Sequence, residues 1–132
     1  MSKTHTIRIR GPWTYRLQGG EEGSMKIPGA WDGDETQVTF VRGFNWLAEL
    51  EPTESVWLVF RGYGGAGPVS INGTCIGELT SGPAEFDLTA ILKPRNEMQL
   101  SMSFDSCPKD APCGLWGDVA LEVRTRQPEP EN

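Results

Sequence analysis

The feature that most restricts this chain is a period-two alternation of apolar and polar residues, broken every few positions by glycine or proline. Ile7 and Ile9 alternate with arginines, Trp13, Tyr15 and Leu17 follow the Gly11-Pro12 break, and Val38 and Phe40 share a face. Val56, Leu58 and Phe60 form a fourth candidate strand, and Val69 and Ile71 a fifth. Met98, Leu100, Met102 and Phe104 give a sixth, and Val119, Leu121 and Val123 another. Side chains of an extended chain point alternately to opposite faces, so this pattern sets one face on a core and the other in water. Sixteen glycines and ten prolines cut the chain too often for long helices. Only Leu88-Thr89-Ala90-Ile91-Leu92 reads as a helical turn, ended by Pro94.

Asn72-Gly73, between Val69-Ser70-Ile71 and Thr74-Cys75-Ile76, marks a hairpin. A type I′ turn requires positive φ at both central residues, which asparagine and glycine tolerate best. Asn72-Gly73-Thr74 is also a glycosylation sequon, but the turn accounts for it. About eight or nine short strands are expected, which describes an all-β sandwich. Its core is expected to hold Phe40, Leu58, Phe60, Ile71, Phe86, Leu88, Leu100, Met102, Val119 and Leu121. One domain over residues 1–126 is expected, followed by a disordered tail over 127–132, too polar and proline-rich to pack.

The formal net charge of −6 repels a phosphate backbone and an anionic bilayer, which argues against nucleic-acid and membrane partners. No stretch approaches the roughly 18 consecutive apolar residues of a spanning helix. Met1-Ser2-Lys3-Thr4-His5-Thr6 carries no apolar leader, so the expected location is cytoplasmic. Cys75 is expected as a small buried hydrophobe. Cys107 and Cys113 flank a short loop, and whether they bridge depends on the redox compartment. Zinc is excluded, because the single histidine is distant at His5.

In order along the chain, Gly11-Pro12-Trp13-Thr14-Tyr15, Ile27-Pro28-Gly29-Ala30-Trp31 and Phe40-Val41-Arg42-Gly43-Phe44 are followed by Trp57-Leu58-Val59-Phe60-Arg61-Gly62-Tyr63 and Val69-Ser70-Ile71-Asn72-Gly73. Glu85-Phe86-Asp87-Leu88-Thr89-Ala90-Ile91-Leu92, Asn96-Glu97-Met98-Gln99-Leu100 and Gly114-Leu115-Trp116-Gly117-Asp118-Val119-Ala120-Leu121 complete the series. Together, over roughly residues 11 to 124, they resemble the sugar-binding, galactose-binding-like jelly roll of family 2 glycoside hydrolases. The resemblance implies a jelly-roll β-sandwich. It also implies that the (β/α)₈ barrel bearing the family's catalytic carboxylates lies outside this sequence, so no enzyme activity is expected of the chain. Two departures stand out: one arginine of the "W-Y-R-R-x-F" strand is missing, and Gly117 replaces the arginine after the tryptophan.

Two functions from different classes follow: a non-catalytic carbohydrate-binding module, or a protein-interaction or assembly domain, possible as a homo-oligomer. Sugar sites pair an aromatic platform with polar groups. Trp13, Trp31 and Trp116 fall on motif positions and are assigned to packing, which leaves Trp46 as the candidate platform. Asp105, Lys109 and Asp110 occupy a loop equivalent to one that lends a polar residue to sugar in the family's enzymes, so they join Trp46 as candidate ligand contacts. No cofactor is expected. Asp32, Asp34 and Glu35 form an acidic turn that leaves structural calcium as an alternative to solvated acids. Trp57 and Val59 point away from the core side of their strand, toward either a covering segment of the same chain or an interface.

Overall fold

In the computed structural model, which describes residues 4–80, 82–105, 107 and 112–125, every regular element is a strand. These are β1 (Thr4–Arg8), β2 (Gly11–Leu17), β3 (Glu22–Ile27), β4 (Gln37–Asn45), β5 (Glu54–Phe60), β6 (Gly67–Ile71), β7 (Thr74–Leu79), β8 (Ala84–Asp87), β9 (Arg95–Ser103) and β10 (Val119–Thr125). They form a four-stranded sheet, ordered β1-β10-β5-β8, and a six-stranded sheet, ordered β3-β2-β4-β9-β6-β7. All the pairings are antiparallel. The two sheets make the expected sandwich. Strands β3 and β8 escape a reading by alternation, because each carries only one or two large apolar residues. The turn after β8 is as expected, with Ile91 and Leu92 N–H both donating to the Leu88 carbonyl at 3.0 and 3.1 Å.

Register explains the core. Val38 faces Met102 and Phe40 faces Leu100 across β4 and β9, while Leu58 faces Leu121 and Phe60 faces Val119 across β5 and β10. Cross-strand partners share a face, and these residues, with Trp13, Ile71, Met98 and Leu115, form one buried cluster between the sheets. Each such side chain contributes on the order of 1.5–3 kcal/mol by leaving water. Nine of the ten expected core residues are buried. The tenth, Phe86, is only partly buried: it lies on the short edge strand β8 and meets Phe60 edge-on at 6.0 Å.

Two expectations need correction. Cys75 is exposed, because it pairs with Ser70, on the face opposite the buried Val69 and Ile71, in the edge strand β7. Trp116 is 45% exposed, because Leu115 takes the inward position beside it and the indole lies over Gly62, where a Cβ would come within 2.5 Å of the ring. Cys107 and Cys113 are joined in a disulfide with Cα atoms 6.1 Å apart. Such bonds persist in oxidising compartments, which stands in tension with a cytoplasmic location.

The outer face of β5 is covered from within the chain. The Arg124 guanidinium lies 4.8 Å from the Trp57 ring and pairs with Glu85 and Glu122; Arg61 pairs with Glu122 at 2.6 Å. Arginine stems shield apolar surface while their heads stay polar, and Val59 keeps only 4% of its surface exposed under this lattice. The Glu85 hydrogen bond, more than Glu122, pushes the Arg124 pKa further up. Burial likewise raises the Tyr63 hydroxyl pKa. No helix among the described residues is long and apolar enough to cross a membrane.

The hairpin tip has φ of 52° at Asn72 and 83° at Gly73, as a type I′ turn demands. Asn72 also ties the tip to β9: its N–H donates to the Glu97 carbonyl and its Oδ1 accepts from Glu97 N–H, both at 2.9 Å. Buried Asn96 lies beneath, accepting from Lys93 N–H at 2.9 Å and donating to the Lys93 carbonyl at 2.6 Å. Replacing the buried Asn96 by alanine removes both hydrogen bonds to the Lys93 backbone and the one from Asn72, and urea unfolding should show a loss of about 1–3 kcal/mol. Gly67 is required for a different reason: a Cβ there would stand 1.7 Å from the Ser101 carbonyl oxygen of β9, whereas one at Gly19 meets nothing within 4 Å. Gly67→Ala should therefore destabilise by about 1–3 kcal/mol or more, as overpacking does. Gly19→Ala should leave the urea midpoint nearly unchanged.

Candidate functional site

At one end of the sandwich the layers part into an open cleft of about 480 Å³, lined by Ile7, Arg8 and Leu121 from the four-stranded sheet and by Ile9 just past the end of β1. The six-stranded sheet supplies Arg42, Gly43, Phe44, Asn45, Arg95 and Asn96, with Trp46 just past the end of β4. The volume lies within the range of small-ligand pockets. Strand pairing builds it. Arg42 faces buried Met98 and Phe44 faces buried Asn96, so Arg42 lies on the same inward face as Val38 and Phe40. Trp46 is held at the strand end by its N–H donating to the Pro94 carbonyl at 2.9 Å.

The arginine is fixed rather than free. Its Nη1 donates to the Gly43 carbonyl at 2.7 Å and its Nη2 to the Arg10 carbonyl at 3.0 Å. Its Nε is enclosed with no hydrogen-bond partner, and so is the indole Nε1 of Trp46. Buried donors are nearly always satisfied in folded proteins; besides these two, the Trp31 Nε1, in the lining of another hollow, and the Tyr63 hydroxyl are enclosed in the same way. Arg8, whose side chain is largely exposed, reaches the partly buried Asp118 at 3.6 Å. The lining contains neither aspartate nor glutamate.

Of the residues expected to bind ligand, Trp46 lies in this cleft and Asp105 does not. Asn45, before Trp46, pairs with Arg95, whereas Ser103, before Asp105, pairs with Gln37 at the far end of the same two strands. Eight residue steps at about 3.3 Å put them roughly 25 Å apart. Asp105 is exposed, 3.3 Å from the Ser103 hydroxyl. Lys109 and Asp110 lie outside the described residues.

At that far end a second hollow, of about 370 Å³, is lined by Tyr15, Trp31, Asp32 and Glu35 among others. Trp31 packs edge-on against Tyr15 at 4.9 Å and Phe40 at 6.0 Å, which bears out its packing role. The acidic turn does not close on a cation: among the described residues, no group of three or more histidine, cysteine, aspartate or glutamate side chains gathers to hold a metal ion.

Sequence reasoning missed Arg42, Arg95 and Asn96 as cleft residues. The signal for Arg42 was available, since a charge replaces an apolar residue at the third inward position of Val38-Thr39-Phe40-Val41-Arg42. Arg95 and Asn96 reach the cleft only through the β4–β9 pairing, which a single sequence does not display.

No family model matches the sequence, and no curated protein matches it. Solved structures do. An FMN-binding beta-glucuronidase from Facaelibacterium prausnitzii is similar over 93% of this chain and 23% of its own, with a TM-score of 0.78 and 20% identity. Bifidobacterium dentium beta-glucuronidase, complexed with coumarin-3-O-glucuronide, is similar over 92% of this chain and 30% of its own (TM-score 0.76, 19% identity). A rhamnosidase from Novosphingobium sp. PP1Y matches 92% of this chain and 15% of its own (TM-score 0.73, 16% identity). The chain thus spans less than a third of the length of each of these proteins. It has the β-sandwich fold that makes up that share of the beta-glucuronidases, the fold implied by its motifs over residues 11 to 124.

Proposed function

We propose that this chain is a non-catalytic carbohydrate-binding module whose sugar enters the cleft at Trp46. The observation that carries the reading is the meeting, in one open cleft, of an indole with Arg42, Asn45 and Arg95. A pyranose offers an apolar face for the ring and a rim of hydroxyls for such polar groups. The non-catalytic part rests on chemistry: glycoside cleavage uses two carboxyl groups flanking the bond, and this lining holds none. The structural relatives are glycoside-acting by name, which supports the ligand class. Fold alone does not fix function.

A second reading, an interaction or assembly domain, is favoured by one observation. Leu47, next to Trp46, is 80% exposed, and Ile7 in the cleft wall is 40% exposed. An apolar lip of this kind suits a protein partner as well as a sugar.

Tryptophan fluorescence titrated with a panel of mono- and disaccharides separates the two. The module reading expects a saturable change that weakens about tenfold or more, roughly 1.4 kcal/mol, in Trp46→Ala. Trp46→Phe, which keeps a ring, should retain much of the affinity, and circular dichroism should show both variants folded. Silence across the panel, with concentration-dependent sedimentation that Leu47→Ser abolishes, would replace this reading with the second.

A further inference from the structure

The hollow at the far end of the sandwich differs in kind from the cleft. The six-stranded sheet is wider than its partner, and no residue of the four-stranded sheet lines this hollow. Tyr15, Leu17 and Met25 line it from β2 and β3, on the face they share with buried Trp13. It is closed not by a strand but by the segment 28–36, which brings Trp31, Asp32 and Glu35. Trp31 is fixed there: its backbone N–H donates to the Cys113 carbonyl at 2.8 Å, and its ring meets Phe40 edge-on. Against Tyr15 it stands at 75° with centroids 4.9 Å apart, so the two rings form a corner.

Its electrostatics are one-sided. Asp32 and Glu35 belong to the lining, and no lysine, arginine or histidine does. Among the described residues neither carboxylate has an ion pair or a hydrogen bond, although Glu35 is partly buried. A Cβ on Gly33 would stand 2.2 Å from the Glu35 Oε1 and 2.9 Å from the Trp31 Nε1, so the carboxylate lies beside the indole. That Nε1 has no partner either. Enclosed polar groups are normally paired, so the chain itself leaves this hollow incomplete. Two carboxylates are too few for calcium, which takes roughly six to eight oxygens. An organic cation asks for something else: aromatic rings within about 6 Å and an opposite charge beside them.

We infer that this hollow is a binding site for a small alkylammonium ion, a quaternary or methylated amine. Its methyl groups lie in the corner of Tyr15 and Trp31, where the rings attract positive charge, and Glu35 and Asp32 neutralise it. About 370 Å³ suits a small molecule of this class. The site is separate from the Trp46 cleft and independent of the carbohydrate reading.

NMR titration of the purified chain tests it with choline, tetramethylammonium and the neutral alcohol in which carbon replaces the nitrogen of choline. Potassium chloride and calcium chloride serve as controls. Both ammonium ions should saturate and shift the Trp31 indole N–H, and the neutral alcohol should bind about tenfold or more weakly. Glu35→Gln, which removes the charge and keeps the shape, should weaken choline by a similar factor. Asp32→Asn, at an exposed position, repeats the test if circular dichroism shows Glu35→Gln unfolded. Glu49→Gln, an exposed acid outside the hollow, should leave the affinity unchanged. Equal binding of choline and the neutral alcohol would overturn the charge that the inference assigns to the ligand. Potassium or calcium producing the same shifts would overturn the organic class. No saturation by either ammonium ion, or shifts at Trp46 in place of Trp31, would overturn the site. None of these results bears on the saccharide titrations, so this inference and the carbohydrate reading fail separately.

Discussion

The pairing of β4 with β9 is the constraint on which the rest of this structure depends. Nine consecutive residues on each strand are in register, from Gln37 opposite Ser103 to Asn45 opposite Arg95. That register sets Val38, Phe40, Met98, Leu100 and Met102 on one face and so defines half of the core. A slip of one residue would turn every one of them toward water. The same register brings Trp46, Arg42, Arg95 and Asn96 to one end, so the fold and the candidate cleft are consequences of a single ladder.

Along that ladder the interior changes character. In the middle it is dry and apolar; toward Asn45 it takes in the Arg42 head group and the Asn96 amide. Asn96 stays satisfied by closing a loop on Lys93 and accepting from the Asn72 side chain at 3.1 Å. Arg42 is satisfied only in part. A sandwich can tolerate polar groups where its layers part, because solvent lies closer there than in the middle, and this accounts for the candidate cleft sitting at an end rather than on a face. The outer face of the smaller sheet reaches the opposite solution. Trp57 and Val59 look like interface residues until Arg61, Glu122, Arg124 and Glu85 are in place over them. That face therefore provides no argument for assembly, and the exposed Leu47 and Ile7 become the better one.

Much of the fold was legible because the larger strands repeat their pattern often enough to reveal their period. Met98-Gln99-Leu100-Ser101-Met102 alternates without exception, and Asn72-Gly73 announces its turn by backbone preference alone. Strands β3 and β8 were less visible, since edge strands need few apolar residues. Cys75 and Trp116 were misplaced for a related reason: composition says what a side chain prefers, while pairing decides which face it occupies. The site was half legible. Trp46 drew attention as a tryptophan outside the packing motifs, but Arg95 and Asn96 join it from a distant stretch of the chain, through the β4–β9 pairing. Asp105 seemed its neighbour only while the direction of β9 was unknown.

Carbohydrate binding at the Trp46 cleft is the central proposal, and amide-resolved NMR of the ¹⁵N-labelled protein during titration with the monosaccharides of the fluorescence panel locates any contact directly. The cleft predicts that the Trp46 indole N–H and the backbone amides of Gly43, Phe44, Asn45, Arg95 and Asn96 move with ligand concentration while those around Trp31 and Trp116 stay still. Shifts confined to the Trp31 and Trp116 end of the sandwich would contradict it.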